Sequence, residues 1–125
     1  MRDTIREYLS ALEAGDAGKI VSLFDPDGWV LSPFLGRMTA RQFFPKVVAS
    51  TSDTKLTVHD ILVSTEGHPR AVGYFLYDWR LVDGSQVSFE VADVFTFNPR
   101  TGRIVSMIIL YDTYPIREAV GDKYR

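Results

Sequence analysis

Four runs in the second half of the chain, residues 56–64, 71–82, 86–98 and 103–114, are dense in β-branched and aromatic residues and are separated by turn signals. Runs of that length satisfy their backbone N–H and C=O groups by pairing with one another, so the chain is committed to a sheet. Asp83-Gly84 stands between the second and third runs as a two-residue hairpin signal, and Asn98-Pro99-Arg100-Thr101-Gly102 between the third and fourth as a looser one. The first half has a different period. Ile5, Tyr8, Leu9 and Leu12 recur at helical spacing, and Gly15 ends the stripe. Asp16 is placed to cap a second helix with Ile20, Leu23 and Phe24 on one side. Residues 25–28 form a turn cluster, followed by a short strand from Trp29 to Ser32 that stops at Pro33. Thr39 with Gln42 has the form of a capping box ahead of Phe43, Phe44, Val47 and Val48, where Pro45 is expected to kink the helix. Helices followed by long strands predict an α+β fold, with the helices packed on one face of a curved antiparallel sheet.

A length of 125 residues suits one domain, taken as residues 1–125. Cysteine is absent, which excludes disulfides, thiolate metal sites and a cysteine nucleophile. The net charge is −2 and the basic residues are scattered, so no nucleic-acid partner is expected. No apolar run approaches the length of a membrane span, and Met-Arg-Asp-Thr-Ile-Arg lacks the apolar segment of a signal peptide. No membrane association is expected, and the expected location is cytoplasmic. His59 and His68, without cysteine or a His-Glu-x-x-His pattern, do not make a zinc site. Ser32 and Ser106 lack a nucleophile's setting, and the glycines are turn glycines rather than a phosphate loop. No metal and no cofactor are expected.

If Asp83 and Gly84 are the two central residues of the turn, Arg80 lies opposite Val87, Asp78 opposite Phe89, Leu76 opposite Val91, and Tyr74 opposite Asp93. Those eight residues then share one face, while Phe75, Tyr77 and Trp79 lie on the other. Both faces carry large apolar groups, which a sheet with one solvated face should not show. Helices cover one side; a second copy of the chain, docking on an outer face of Phe75, Tyr77 and Trp79, is the expected cover for the other.

Asp93 is the sharpest anomaly. It shares a face with Phe89, Val91, Phe95 and Phe97, and a carboxylate among such neighbours must be paired, protonated or lining a cavity. Burial would raise its pKa and make it a candidate acid or base. A structural Asp bonded to a nearby Tyr or backbone amide satisfies the same pattern. Asp78 and Arg80, two residues apart on the predicted face, form either an ion pair near the hairpin end or a polar rim for a ligand. Tyr8, Tyr74 and Tyr111 are amphipathic residues whose hydroxyls matter only if they meet Asp93.

Taken together, residues 8–16, 20–24 and 27–33, then residues 93–98 and 101–107, resemble the ketosteroid isomerase and polyketide cyclase (SnoaL-like) branch of the nuclear-transport-factor-2-like superfamily. The resemblance covers most of the chain and is weakest between residues 36 and 70. It implies a cone-shaped cystatin-like fold, an apolar pocket between helices and concave sheet, and a homodimer. Ketosteroid isomerases pair an Asp base with an oxyanion hole made of a Tyr and a protonated Asp. Tyr8 matches that tyrosine and Asp93 the protonated aspartate, whereas Ser32 falls where the base belongs. A positioned general base is worth roughly 10² to 10⁴ in rate, so true steroid isomerisation is not expected. Limonene epoxide hydrolases share the fold, but their Arg and two Asp fall at Tyr74, Leu76 and Ile109, and that triad is absent.

The expected occupant is a small apolar molecule. Ser32, Tyr74, Leu76, Asp78, Arg80, Phe89, Val91, Met107, Ile109 and Tyr111 are its expected contacts, around Asp93 and Tyr8 as the catalytic pair. Two functions remain open: acid–base catalysis on an apolar carbonyl compound (isomerisation, cyclisation or dehydration), or a non-catalytic ligand-binding or dimerisation module.

Overall fold

The computed structural model describes residues 1–33 and 35–115. Its elements run α1 (Arg2–Ala14), α2 (Ala17–Ser22), β1 (Phe24–Ser32), β2 (Gly36–Thr39), α3 (Ala40–Ala49), β3 (Thr51–Val63), β4 (Arg70–Leu81), β5 (Gln86–Phe97) and β6 (Ile104–Tyr111). The expected α+β architecture holds. All six strands join one sheet in the order β2-β1-β6-β5-β4-β3. The sheet is mixed, because β1 and β6 pair in parallel while every other pair is antiparallel.

The helices follow from their local chemistry. In α1 the predicted stripe of Ile5, Tyr8, Leu9 and Leu12 is buried, each such side chain contributing roughly 1.5–3 kcal/mol on leaving water. Gly15, left-handed at φ 69°, closes the helix by donating its N–H to the last-turn carbonyls. The Asp16 carboxylate caps α2 by accepting the Lys19 N–H at 3.0 Å. The expected capping box of α3 is not made: Thr39 is the N-cap, but its hydroxyl makes no hydrogen bond there. Pro45 sits inside α3 without ending it. The turn expected at residues 25–28 is instead a bulge within β1, where pairing with β6 breaks between Phe24 and Trp29.

The hairpin between β4 and β5 departs from expectation in a way that matters for everything on it. Its loop has three residues, Val82, Asp83 and Gly84, closed by the Leu81 N–H donating to Ser85 O at 2.9 Å and the Gly84 N–H donating to Leu81 O at 3.0 Å. Gly84 takes φ 90°, as a type I turn followed by a left-handed residue requires. The Asp83 carboxylate accepts both the N–H and the hydroxyl of Ser85, favouring this closure over the two-residue form. One extra loop residue slips the register by one, and a slip of one exchanges the faces of a strand. Phe75 therefore pairs with Val91, Tyr77 with Phe89, Trp79 with Val87 and Gly73 with Asp93. Phe75, Tyr77 and Trp79 face inward, correcting their expected place on the outer surface. Tyr74, Leu76, Asp78 and Arg80 turn outward.

Helices α1 and α3 pack on the concave face. Tyr8 meets the rings of Phe44 and Phe95 edge-on at 5.8 and 5.2 Å. Phe44, Phe75, Phe95, Ile5, Ile20, Ile104, Met107 and Val30 are fully buried there, and Asp93 lies among them.

Candidate functional site

Asp93 stands at the middle of β5, flanked by Gly73 on β4 and Ile109 on β6. Gly73 is what brings helix α1 down onto this spot. A Cβ there would lie 3.3 Å from Ile5 Cγ2 and 3.7 Å from Phe95, so the missing side chain makes room for Ile5. Tyr8 follows Ile5 on the same helix face and hydrogen-bonds the Asp93 carboxyl. The pair forms the floor of a hollow of about 300 Å³ between α1, α3 and the sheet.

The hollow is apolar. Phe75, Tyr77, Trp79, Phe89 and Tyr111 form a continuous aromatic wall, with Tyr77 stacked on Phe89 at 5.4 Å and Phe89 against Tyr111 at 4.9 Å. Leu12, Phe43, Phe44 and Val47 supply the helical side, and Val91 and Ile109 the strands beside Asp93. The lining residues Leu35, Lys46 and Ser50 are exposed, whereas Asp93 is 2% exposed, so the hollow runs from a wet mouth to a dry floor. The mouth is tied together through Thr51, whose hydroxyl accepts from Trp79 Nε1 at 2.6 Å and donates to Val47 O at 2.6 Å. This joins the hairpin end to the end of α3.

Burial dominates the electrostatics. It pushes the Asp93 carboxyl up to about 8, opposed only by the hydrogen bond from Tyr8. Near neutral pH the group is therefore mainly a protonated acid. Its Oδ1 is buried and has no hydrogen-bond partner among the described residues. Burial, reinforced by the Asp93 charge, holds Tyr8 well above the ordinary tyrosine range, so its hydroxyl keeps its proton. Burial likewise raises Tyr77 and Tyr111 to about 12. Tyr8 acts on the Asp93 carboxyl beside it and so serves as a positioning residue for that acid.

Of the residues singled out in the sequence, Tyr8, Asp93, Ser32, Phe89, Val91, Ile109 and Tyr111 line this hollow. Met107 faces the same side but is sealed in the core. Tyr74, Leu76, Asp78 and Arg80 do not reach it. Asp78 accepts a hydrogen bond from the Ser88 hydroxyl, and Arg80 donates to Gln86 Oε1 at 3.4 Å, so the expected Asp78–Arg80 ion pair is replaced by two cross-strand bonds. The Oγ of Ser32 accepts the Leu35 N–H at 3.0 Å. Phe75, Tyr77 and Trp79 were missed as lining residues because of the slipped register. The lining residues of α3 were signalled by the Phe43, Phe44, Val47 stripe, which sequence alone assigned only to a helix face.

Among the described residues no three His, Asp or Glu side chains gather into a metal site, and no helix is long and apolar enough to cross a membrane. A family model described as a SnoaL-like domain matches residues 5–107. No curated protein matches the sequence. Among solved structures, a nuclear-transport-factor-2-like protein of unknown function from Burkholderia pseudomallei superposes with a TM-score of 0.76 at 19% identity, covering 97% of this chain and 97% of that one. AclR from Streptomyces galilaeus gives a TM-score of 0.76 at 16% identity, over 96% of this chain and 83% of its own. A protein with a ketosteroid isomerase-like fold from Catenulispora acidiphila, solved in complex with trimethylamine, gives 0.77 at 13% identity, over 92% and 89%. At these identities the likenesses show the fold alone.

Proposed function

The chain belongs to the SnoaL-like domain family, and from that membership and the chemistry of the hollow we propose that it binds a small, largely apolar compound through a carbonyl or enol oxygen. The observation that carries this is the buried Asp93 carboxyl, its Oδ1 without a partner, in the lining of an apolar hollow. A protonated acid there donates a hydrogen bond to an acceptor oxygen, and the bond strengthens as that oxygen gains negative charge. Tyr8 holds the carboxyl in place from the side. This is the apparatus that isomerases, cyclases and dehydratases of carbonyl compounds need for the charge on oxygen. A volume of about 300 Å³ lies at the small end of ligand pockets and suits a molecule of two or three rings.

The proton on carbon is a separate matter. No carboxylate other than Asp93 and no histidine belongs to the described lining, and Ser32 is too weak a base near neutral pH. That observation favours a second reading, binding without turnover. A reaction here would use the ionised fraction of Asp93 or a basic group carried by the substrate.

The two-ring phenol 2-naphthol, titrated by its fluorescence at pH 6.5, tests the reading. It should bind more tightly than naphthalene, and Asp93→Leu should weaken it by about threefold to tenfold, the worth of one hydrogen bond. Asp93→Asn, which retains a donor, should recover most of the loss. Tyr8→Phe should move the midpoint of the Asp93 titration, followed by carboxyl NMR, upward from about 8, because the bond that opposes the shift is gone. Equal affinity for 2-naphthol and naphthalene, or trimethylamine binding that grows above pH 8 and vanishes in Asp93→Leu, overturns the acceptor-oxygen reading in favour of a bare apolar pocket or a carboxylate site for cations.

A further inference from the structure

The mouth of the hollow carries a charge that the floor chemistry does not use. Lys46 lies three residues after Phe43 and four before Ser50, which puts it on the cavity side of α3 with both of them. It is the one cationic side chain in the described lining, and the one acidic side chain there is Asp93, buried at the opposite end. No ion pair to Lys46 is formed among the described residues, where the one pair present joins His59 and Glu90 on the outer face.

A lysine in the last turn of a helix is often explained by the helix end, whose free carbonyls favour a positive charge. Here the carbonyls of Lys46, Val47 and Val48 already have other donors. Lys46 O accepts the Ser50 N–H at 3.2 Å, and Val47 O accepts the hydroxyls of Ser50 at 2.9 Å and Thr51 at 2.6 Å. Lys46 is not needed to cap the helix, and its exposed side chain belongs to the rim of an apolar opening.

We propose that the occupant of this hollow is an apolar carboxylic acid, oriented with its carboxylate at Lys46 and its acceptor oxygen at Asp93. The inference rests on the pocket reading above, since the molecule enters the same hollow, but it concerns the opposite end. A carboxylate at the mouth stays in contact with water and meets one cation, which avoids the desolvation cost it would incur deeper in. The same charge would draw anions toward the opening of a protein whose net charge is negative.

The test uses naphthalene-2-carboxylate and naphthalene, a pair that differs only in the charged end, with affinities compared as a ratio at pH 7 and low salt. In the wild-type protein the acid should bind about threefold to tenfold more tightly, and the preference should shrink in 0.5 M NaCl as the pair is screened. Lys46→Gln should bring the ratio to near one, and Lys46→Glu should invert it. Measuring the ratio in Asp93→Leu separates this proposal from the floor chemistry. A preference that survives Asp93→Leu and is lost in Lys46→Gln supports the mouth position, even if the 2-naphthol result fails. A preference lost in Asp93→Leu and kept in Lys46→Gln places the acid at the floor and overturns the proposal. So does the absence of any preference in the wild-type protein.

Discussion

Alternate residues of β4 meet opposite surroundings. Phe75 and Tyr77, turned to the concave face, are 1% and 8% exposed; Tyr74, between Gly73 and Phe75 but turned outward, is 40% exposed. The outer face is mixed in composition, carrying Leu76 and Leu110 beside Asp78, Arg80 and Glu90. Composition and cover together separate the faces. Helices α1 and α3 dry one side, and on that side a carboxyl retains its proton and an oxygen goes without a partner. On the other, Glu90 meets His59 at 2.9 Å with both side chains accessible to water. Hydrophobicity therefore marks the strand, and the elements packed against it decide which half of its side chains becomes chemically unusual.

Four substitutions probe that contrast. The largest effect should come from paired truncations in β4. Phe75→Ala should cost about 3–5 kcal/mol in urea unfolding, the range for a buried phenylalanine, and half-buried Leu76→Ala about 1 kcal/mol. Equal losses would mean the faces are not distinguished by cover. The next concerns pH. Asp93 keeps its proton up to about pH 8 when folded, against 3.8 as its ordinary value, so the folded chain holds an extra proton between those limits. The contribution of Asp93 to stability should be whole below about pH 4, fall as pH rises, and level off above about pH 8. Asp93→Asn should remove that slope, so that the wild-type protein loses several kcal/mol relative to the variant between pH 4 and pH 9. A difference that does not vary with pH would contradict a dry floor. The smallest effect belongs outside: Glu90→Gln breaks an exposed pair and should change stability by no more than about 0.5 kcal/mol.

Helix periodicity was legible because it is local. The α1 stripe names its own buried face, and Gly15 and Asp16 act within one turn of where they stand. Asp93 was also legible, because a charge in a run of phenylalanines is costly wherever the strand lies. The partners of Asp93 were only half visible. Tyr8 came through family likeness, whereas Phe75, Tyr77 and Trp79 were hidden by a single residue of loop length, which the Asp83-Gly84 pair does not determine. Strand β2 and the bulge at residues 25–28 were not foreseen, because both depend on which strand lies alongside rather than on their own composition. The lining contributed by α3 depends on how that helix tilts over the sheet, a property of packing that no repeat in the chain encodes.

Gly73 carries a consequence for redesign. It contributes no wall to the hollow, yet its missing methyl sets how closely Ile5, and with it Tyr8, descends toward the acid. Adding one carbon at that point would displace Ile5 by a few tenths of an ångström and loosen the grip of the phenol on the carboxyl, with no residue that touches an occupant replaced. The strength of the acid can thus be adjusted from beneath the helix without substituting any residue of the chamber.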